Sequence, residues 1–293
     1  MQNTQQTDRN YSTISPSARS LLLMKGLTNI PFARQVAEMM NYPEKYVPDF
    51  KKKDISLWAR VVHFENRYWS VDQLLKGLPF KNILELSSGF SFRGLEIVKQ
   101  PGFHYIDTDL ADVITEKNRF IKTLQNNEIN PKSKLEILPL NALDEKQFEE
   151  TVKRFPEGEI VIVNEGLLMY LNMDEKEKLC GIIHQILKKH GGYWITADIY
   201  IKKEFKKLDL KLDEKTKAFF KEHNIEENKF ESFKAAEAFF KKVGFIIDKE
   251  AEADRLKLSS LKYLMKSANL FQLFKMRKAS KIQTTWRLQV AMD

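Results

Sequence analysis

Residues 82–97 read NILELSSGFSFRGLEI. An apolar run closes on an acid, Glu85; a small polar step and Gly89 follow, and then an apolar rhythm of helical spacing. That order describes a buried strand, a tight turn and a helix. Downstream, the short runs NILEL, FHYID, LEILPL, EIVIVN and YWITADI alternate with helical stretches between about residues 82 and 200. Such alternation is the mark of a parallel α/β sheet. The runs are continuously apolar rather than alternating in polarity, as expected of strands covered by helices on both faces.

Before Lys81 the pattern is helical, in SARSLLLMKG, PFARQVAEMM and SLWARVVHFENRYWSVDQLLKG, the last stopped by Gly77 and Pro79. After Ile201 comes a Lys/Glu-rich helical stretch, then the helix ESFKAAEAFFKKV closing at Gly244, and two further strands, FIIDKE and TTWRLQV. The expectation is a polar, disordered tail over 1–10 and one domain over 11–293. Within it lie a helical N-terminal cap (11–80), a ligand-binding core (81–200), a helical insertion (201–230) and a C-terminal helix with antiparallel strands (231–293).

A chain of 293 residues with 43% hydrophobic and 11% aromatic residues can bury a full core. Its one cysteine, Cys180, excludes an internal disulfide and a CxxC zinc ribbon, and no metal site is expected. The opening MQNTQQTDRNYSTISPS has no apolar signal core, and no stretch reaches the roughly 18 uninterrupted apolar residues of a membrane span, so a cytoplasmic protein is expected. The net charge of +8 is uneven: residues 1–200 carry 26 basic and 26 acidic residues, 201–293 carry 22 and 14. From Arg255 to Met292 there are nine basic residues and no acid, interleaved with Leu, Tyr, Phe and Trp. This is either a solvated helix face with a final strand or a surface for anions or a partner.

A doubly wound sheet binds its ligand beyond the carboxyl ends of its strands, at the switch point beside the first one. Glu85 and Gly89 fall there. The sequence from Gly89 to Gly94 lacks the G-x-G-x-x-G spacing of a dinucleotide site, and a strand-end carboxylate repels phosphate while favouring an ammonium group or a hydroxyl. The second strand ends with Asp107 and Asp109, the latter 24 residues after Glu85 and near the spacing at which an acid reaches ribose hydroxyls. Acid, glycine and acid together describe a phosphate-free nucleoside with a cationic amino-acid tail, S-adenosylmethionine. The competing reading of each acid alone is a helix N-cap.

ELSSGFSFRG, YIDTDLADVITEK and IVNEGLLMYL resemble the corresponding stretches of the leucine carboxyl methyltransferase family. The resemblance spans roughly Ser17 to Ile199 in short islands. It implies a class I methyltransferase fold, a Rossmann-like seven-stranded sheet with an antiparallel final pair, and S-adenosylmethionine as methyl donor. It also implies that Arg19 and Arg60 hold the donor's carboxylate, that Gly89 lines its methionine portion, that Asp109 takes the ribose, and that Glu165 sits near its amino group. Asn141, followed by Ala142, stands where the family has an Asp against the adenine amine; its amide oxygen can accept the same hydrogen bond. His63, one turn after Arg60, is either a half-buried helix residue or a base. Tyr170 and Tyr200 either border the acceptor pocket or pack in the core.

The expected function is methyl transfer to a carboxylate or hydroxyl of a small molecule or peptide. A carboxylate, ionised at neutral pH, needs no base; a hydroxyl would be served by His63. Alternatives are an RNA methyltransferase, with nucleic acid disfavoured because no RNA-binding module is present, a nicotinamide-dependent reductase, and a non-catalytic scaffold of the same fold.

Overall fold

The computed structural model describes residues 15–41, 49–124, 129–202, 214–278 and 281–291. The expected tail over 1–10 and part of the expected insertion, 203–213, lie outside the described residues. Three helices lead in: α1 (Ser15–Lys25), α2 (Ala33–Met40) and α3 (Ile55–Leu75). The core then alternates β1 (Asn82–Leu86), α4 (Arg93–Ile97), β2 (His104–Asp109), α5 (Ala111–Leu124), β3 (Lys134–Pro139), α6 (Glu145–Val152), β4 (Ile160–Asn164), α7 (Met173–His190) and β5 (Gly192–Tyr200). Helices α8 (Glu214–Glu222) and α9 (Phe233–Lys242), strand β6 (Phe245–Glu250), helices α10 (Leu261–Ser267) and α11 (Leu270–Lys278) and strand β7 (Gln283–Val290) complete it.

The seven strands form one sheet in the order β3-β2-β1-β4-β5-β7-β6. β1 to β5 are parallel, and β7 runs antiparallel to both β5 and β6. This is the doubly wound sheet that the sequence predicts, with its switch point between β1 and β4. Every residue of β1, β2 and β4 is buried. Their side chains divide with period two: Leu84, Ile162 and Trp194 pack on one face with Phe148, Ile183 and Phe240, while Ile83, Val161, Val163 and Ile195 pack on the other with Val71 and Leu74 of α3.

Local chemistry fixes the helix ends. The Asp54 carboxylate caps α3 by accepting from the Ser56 and Leu57 amides, and Asn172 with Glu175 forms a reciprocal capping box on α7. Gly94 lets α4 approach β2: a Cβ there would sit 2.6 Å from the Tyr105 ring. The C-terminal half of α3 packs on the sheet through Val71 and Leu74, and its N-terminal half lines a cavity at the carboxyl ends of the strands. The register of β5 against β7 shifts between Thr196 and Ile199, and Asp198 lies in that irregular stretch.

Candidate active site

A cavity of about 860 Å³ opens at the carboxyl edge of the sheet, beyond β1, β2, β3 and β4 and under α1 and α3. A more open hollow of about 690 Å³ lies at the opposite edge, around Lys81, Gly102 and Gly158. The strand-end rule for doubly wound sheets selects the first.

Its floor is the β1–α4 turn. Asp109 Oδ2 accepts from the Gly89 amide at 2.6 Å and Oδ1 from the Leu110 amide at 2.7 Å. Gly89 has φ +53°, and Ser87, at φ +49°, takes the same left-handed turn at the strain cost of a Cβ. The turn is tied down by Lys117, whose Nζ donates to Ser88 Oγ at 2.8 Å and pairs with Asp107 Oδ2 at 2.6 Å. Burial pushes the Asp107 carboxyl up to about 6, against the pull of Lys117. Burial also raises the Asp109 carboxyl above its ordinary range, opposed by the two amides it accepts from.

Behind this floor lies a buried charge cluster built on Arg93. Its Nε donates to Asp72 at 2.8 Å, its two terminal nitrogens to Glu85 at 2.5 Å and Glu165 at 3.1 Å, and its plane lies over the Tyr68 ring. Glu85 also accepts from the Tyr105 hydroxyl at 2.6 Å. Glu85 is fully buried and does not reach the cavity, so its expected contact with a ligand is corrected: its oxygens are spent inside the protein.

Glu165, just past β4, does line the cavity. It accepts from Lys25 Nζ at 2.7 Å and Arg67 Nε at 3.2 Å, besides Arg93. Burial alone would raise its carboxyl, but these three cations hold it well below the usual range. Burial in turn lowers the Lys25 ammonium, with Glu165 opposing. The turn that presents Glu165 is held by Asp198, which accepts from the Gly166 amide at 2.6 Å, the Leu167 amide at 2.6 Å and the Leu168 amide at 3.1 Å.

Arg19 departs from its expected place. Its side chain is 55% exposed, pairs with Glu116 at 2.8 Å, and is not part of the cavity wall. On α1 the wall takes in Ser17, Ala18, Ser20, Leu21, Leu22, Met24 and Lys25, an arc of about 200° at 100° per residue, and Arg19 lies off that arc. On α3, Arg60, His63 and Arg67 all line the cavity, Arg67 two turns deeper than Arg60. Lys25 and Arg67, with Arg93 behind them, are thus the cations at Glu165 that reading the sequence missed; for Lys25 and Arg67 the available signal was their spacing from Ser17 and Arg60.

The remaining expected residues all border the cavity. Ala142 and Asn141 sit at the end of β3, with Asn141 Oδ1 accepting from the Leu143 amide at 3.0 Å. Tyr170 shares a 3.2 Å hydrogen bond with Ser17 Oγ, and Tyr200 one of 2.7 Å with His63 Nε2. Arg67 also donates to the Tyr200 hydroxyl at 3.2 Å.

Burial, then the Arg67 charge, pushes His63 down to about 3, and burial pushes Tyr200 up to about 12. Both are neutral at pH 7. Between about pH 6.5 and 3 the unfolded chain takes up a proton at this position that the folded chain refuses. Stability therefore falls as acid is added, by less than about 1.4 kcal/mol per pH unit for this half-buried ring. His63→Phe is expected to flatten the dependence of the urea midpoint on pH between about 6 and 4.

No protein-family model matches the sequence, and no curated protein does. Solved structures do. A DUF574 family protein from Streptomyces avermitilis superposes with a TM-score of 0.55 at 12% identity, over 93% of this chain and 97% of that one. That likeness shows a shared fold, the Rossmann-like doubly wound sheet of seven strands. Magnesium protoporphyrin IX methyltransferase from Synechocystis, solved with bound S-adenosylhomocysteine, gives a TM-score of 0.47 at 10% identity, covering 93% of this chain and 100% of that one. Mitomycin 7-O-methyltransferase gives 0.47 at 12% identity, covering 94% and 67%. The chain spans about half the length of some matched structures, 46% of a pericyclic reaction enzyme among them. At these identities the likeness concerns the fold.

Proposed function

We propose that the protein is an S-adenosylmethionine-dependent O-methyltransferase acting on a carboxylate or hydroxyl of a small molecule or peptide. The observation that carries this reading is the placing of Asp109 and Gly89 on one side of a single cavity and of Lys25, Arg67 and Glu165 on the other. The donor set fits the cofactor by its chemistry. A carboxylate suits a ribose diol, two cations and an anion suit the zwitterionic methionine tail, and Gly89 itself puts no side chain into the cavity it lines. Asn141 and Ala142 would flank the adenine. Lys25 stands here in place of Arg19, and Arg67 joins Arg60, which the resemblance also implies, on the cavity wall. The finer assignment to the leucine carboxyl methyltransferase family rests on its three sequence islands, the strongest of which, NEGLLMYL, contains Glu165.

When bound, S-adenosylmethionine supplies an electrophilic methyl group that an acceptor oxygen displaces in line from sulfur. The chain's own part is to align and to exclude water. Tyr170, Tyr200, Phe64, Phe219 and Phe220 line the cavity and can wall off the acceptor. A carboxylate acceptor requires no proton removed, which fits this site better, because burial and Arg67 make the His63 ring too weak a base to serve a hydroxyl acceptor well.

Calorimetric titration with S-adenosylhomocysteine, with NADH as control, tests the donor site: heat with the first and none with the second is expected. Label transfer from the methyl-labelled donor to panels of free acids, phenols and amines tests the acceptor class. Transfer to nitrogen alone would overturn the oxygen assignment, and donor binding without transfer to any acceptor would leave a scaffold.

A further inference from the structure

The basic stretch from Arg255 onward touches the site described above only through Met276 and Ile282, which line the cavity, and its outer surface is unusual. Five of the large apolar side chains left exposed fall within it: Leu256 (99%), Met265 (50%), Leu270 (87%), Phe271 (64%) and Phe274 (55%). Among the described residues, the exposed large hydrophobics elsewhere are Met173 and Ile246. The same stretch, Arg255 to Lys278, carries seven Lys and Arg and no Asp or Glu. At about 100° per residue, Leu270, Phe274, Lys278 and Phe271 of α11 share one arc of about 100°. Met276 lies on the far side of the helix, where it lines the cavity.

This exposure is built on a fixed base. The Glu65 carboxylate of α3 accepts from the amides of Ser259 and Ser260, both at 2.9 Å, and from their hydroxyls at 2.6 and 2.5 Å. Leu264 is buried against Trp58 and Val61, and the Tyr263 ring stacks on Trp58 at 4.8 Å. α10 is therefore anchored to α3, and α11 follows it with its apolar arc outward. On α11, Lys275 Nζ lies 4.6 Å from the Phe271 ring centre and Lys278 Nζ 4.3 Å from that of Phe274. Apolar bodies and cationic heads thus share one surface.

We propose that the α10–α11 face docks on an anionic lipid bilayer. The described helices include none long and apolar enough to cross a membrane, so the contact is peripheral: Leu270, Phe271 and Phe274 enter the headgroup–acyl boundary while the lysines stay among the anionic headgroups. Lysines alone would serve a polyanion such as RNA. Leu256, Met265 and Leu270 have no π-face on which a base can stack and no polar atom to read one, which favours lipid. Because Met276 of the same helix lines the cavity, docking would bring the cavity wall against the bilayer.

The test is co-sedimentation of the full chain with vesicles of phosphatidylglycerol and phosphatidylcholine in equal parts, against phosphatidylcholine alone. Binding to the anionic vesicles is expected to be at least about tenfold tighter and to weaken between about 0.05 and 0.5 M salt. L270S/F271S/F274S and, separately, K275E/K278E should each lower partition about tenfold or more while the melting temperature stays unchanged, since the three apolar side chains are exposed. Undiminished partition of the triple variant, or no partition of the wild type, overturns the proposal. So does retention on RNA, undiminished in the triple variant, by a protein that ignores the vesicles.

Discussion

Replacing Asp109 by alanine is expected to lower affinity for S-adenosylhomocysteine about a hundredfold. In the proposed site the carboxylate would accept from both hydroxyls of the donor's ribose, and two charge-assisted hydrogen bonds are worth about 3 kcal/mol together, or two decades in Kd. Its loss has a second consequence, because the same oxygens accept from the Gly89 and Leu110 amides and hold the turn that forms the cavity floor. Asp109→Asn separates the two effects. It keeps the size of the side chain and one accepting oxygen but points an amide N–H donor at one of those backbone donors or at the ribose. Calorimetry on both variants, with thermal melts in the absence of ligand, checks the prediction. Unchanged affinity in Asp109→Ala would remove the donor site from this cavity.

The largest expected effect on stability is at Arg93. Its side chain is 1% exposed and faces the carboxylates of Asp72, Glu85 and Glu165. Replacing it with methionine preserves much of the volume but leaves those carboxylates without their shared cation. Breaking a buried pair from one side costs about 3–5 kcal/mol. For a chain of this size that is on the order of 10 °C in melting temperature. Carboxylates stripped of a cation bind protons more readily, so the variant's deficit relative to the wild type should shrink as pH falls from about 8 to 5. Urea titrations of both proteins across that range provide the measurement. A deficit independent of pH would mean that Arg93 acts through packing on Tyr68 rather than through charge.

Glu85 and Arg93 also show where reading along the chain stops being informative. The acid before the turn at Gly89 has the residue type and the position of a ligand contact, but Arg93, eight residues on, folds back and takes it. The arginine is itself part of the quoted stretch, as the R of FSFRG. Nothing local distinguishes an arginine that turns inward under β1 from one that reaches solvent. Arg19 makes the opposite case, an arginine in a matching context that lies off the inward face of α1 and pairs with Glu116.

The strands and their parallel order were determined by the sequence alone, because a strand buried on both faces must be apolar at consecutive positions, and glycine is favoured where the chain turns in the left-handed region, as at Gly89. The placing of Gly89 and Asp109 at the strand ends followed from the same runs. Which cations meet Glu165 was decided by the tertiary structure. Lys25 lies 140 residues from it and Arg67 98 residues, and each points inward through the rotation at which α1 and α3 settle on the sheet. That rotation is set by the packing of Val71 and Leu74 of α3 on β5 and of Leu22 of α1 in one cluster with Tyr68 of α3. It is a property of the assembled core, and no window of the sequence contains it.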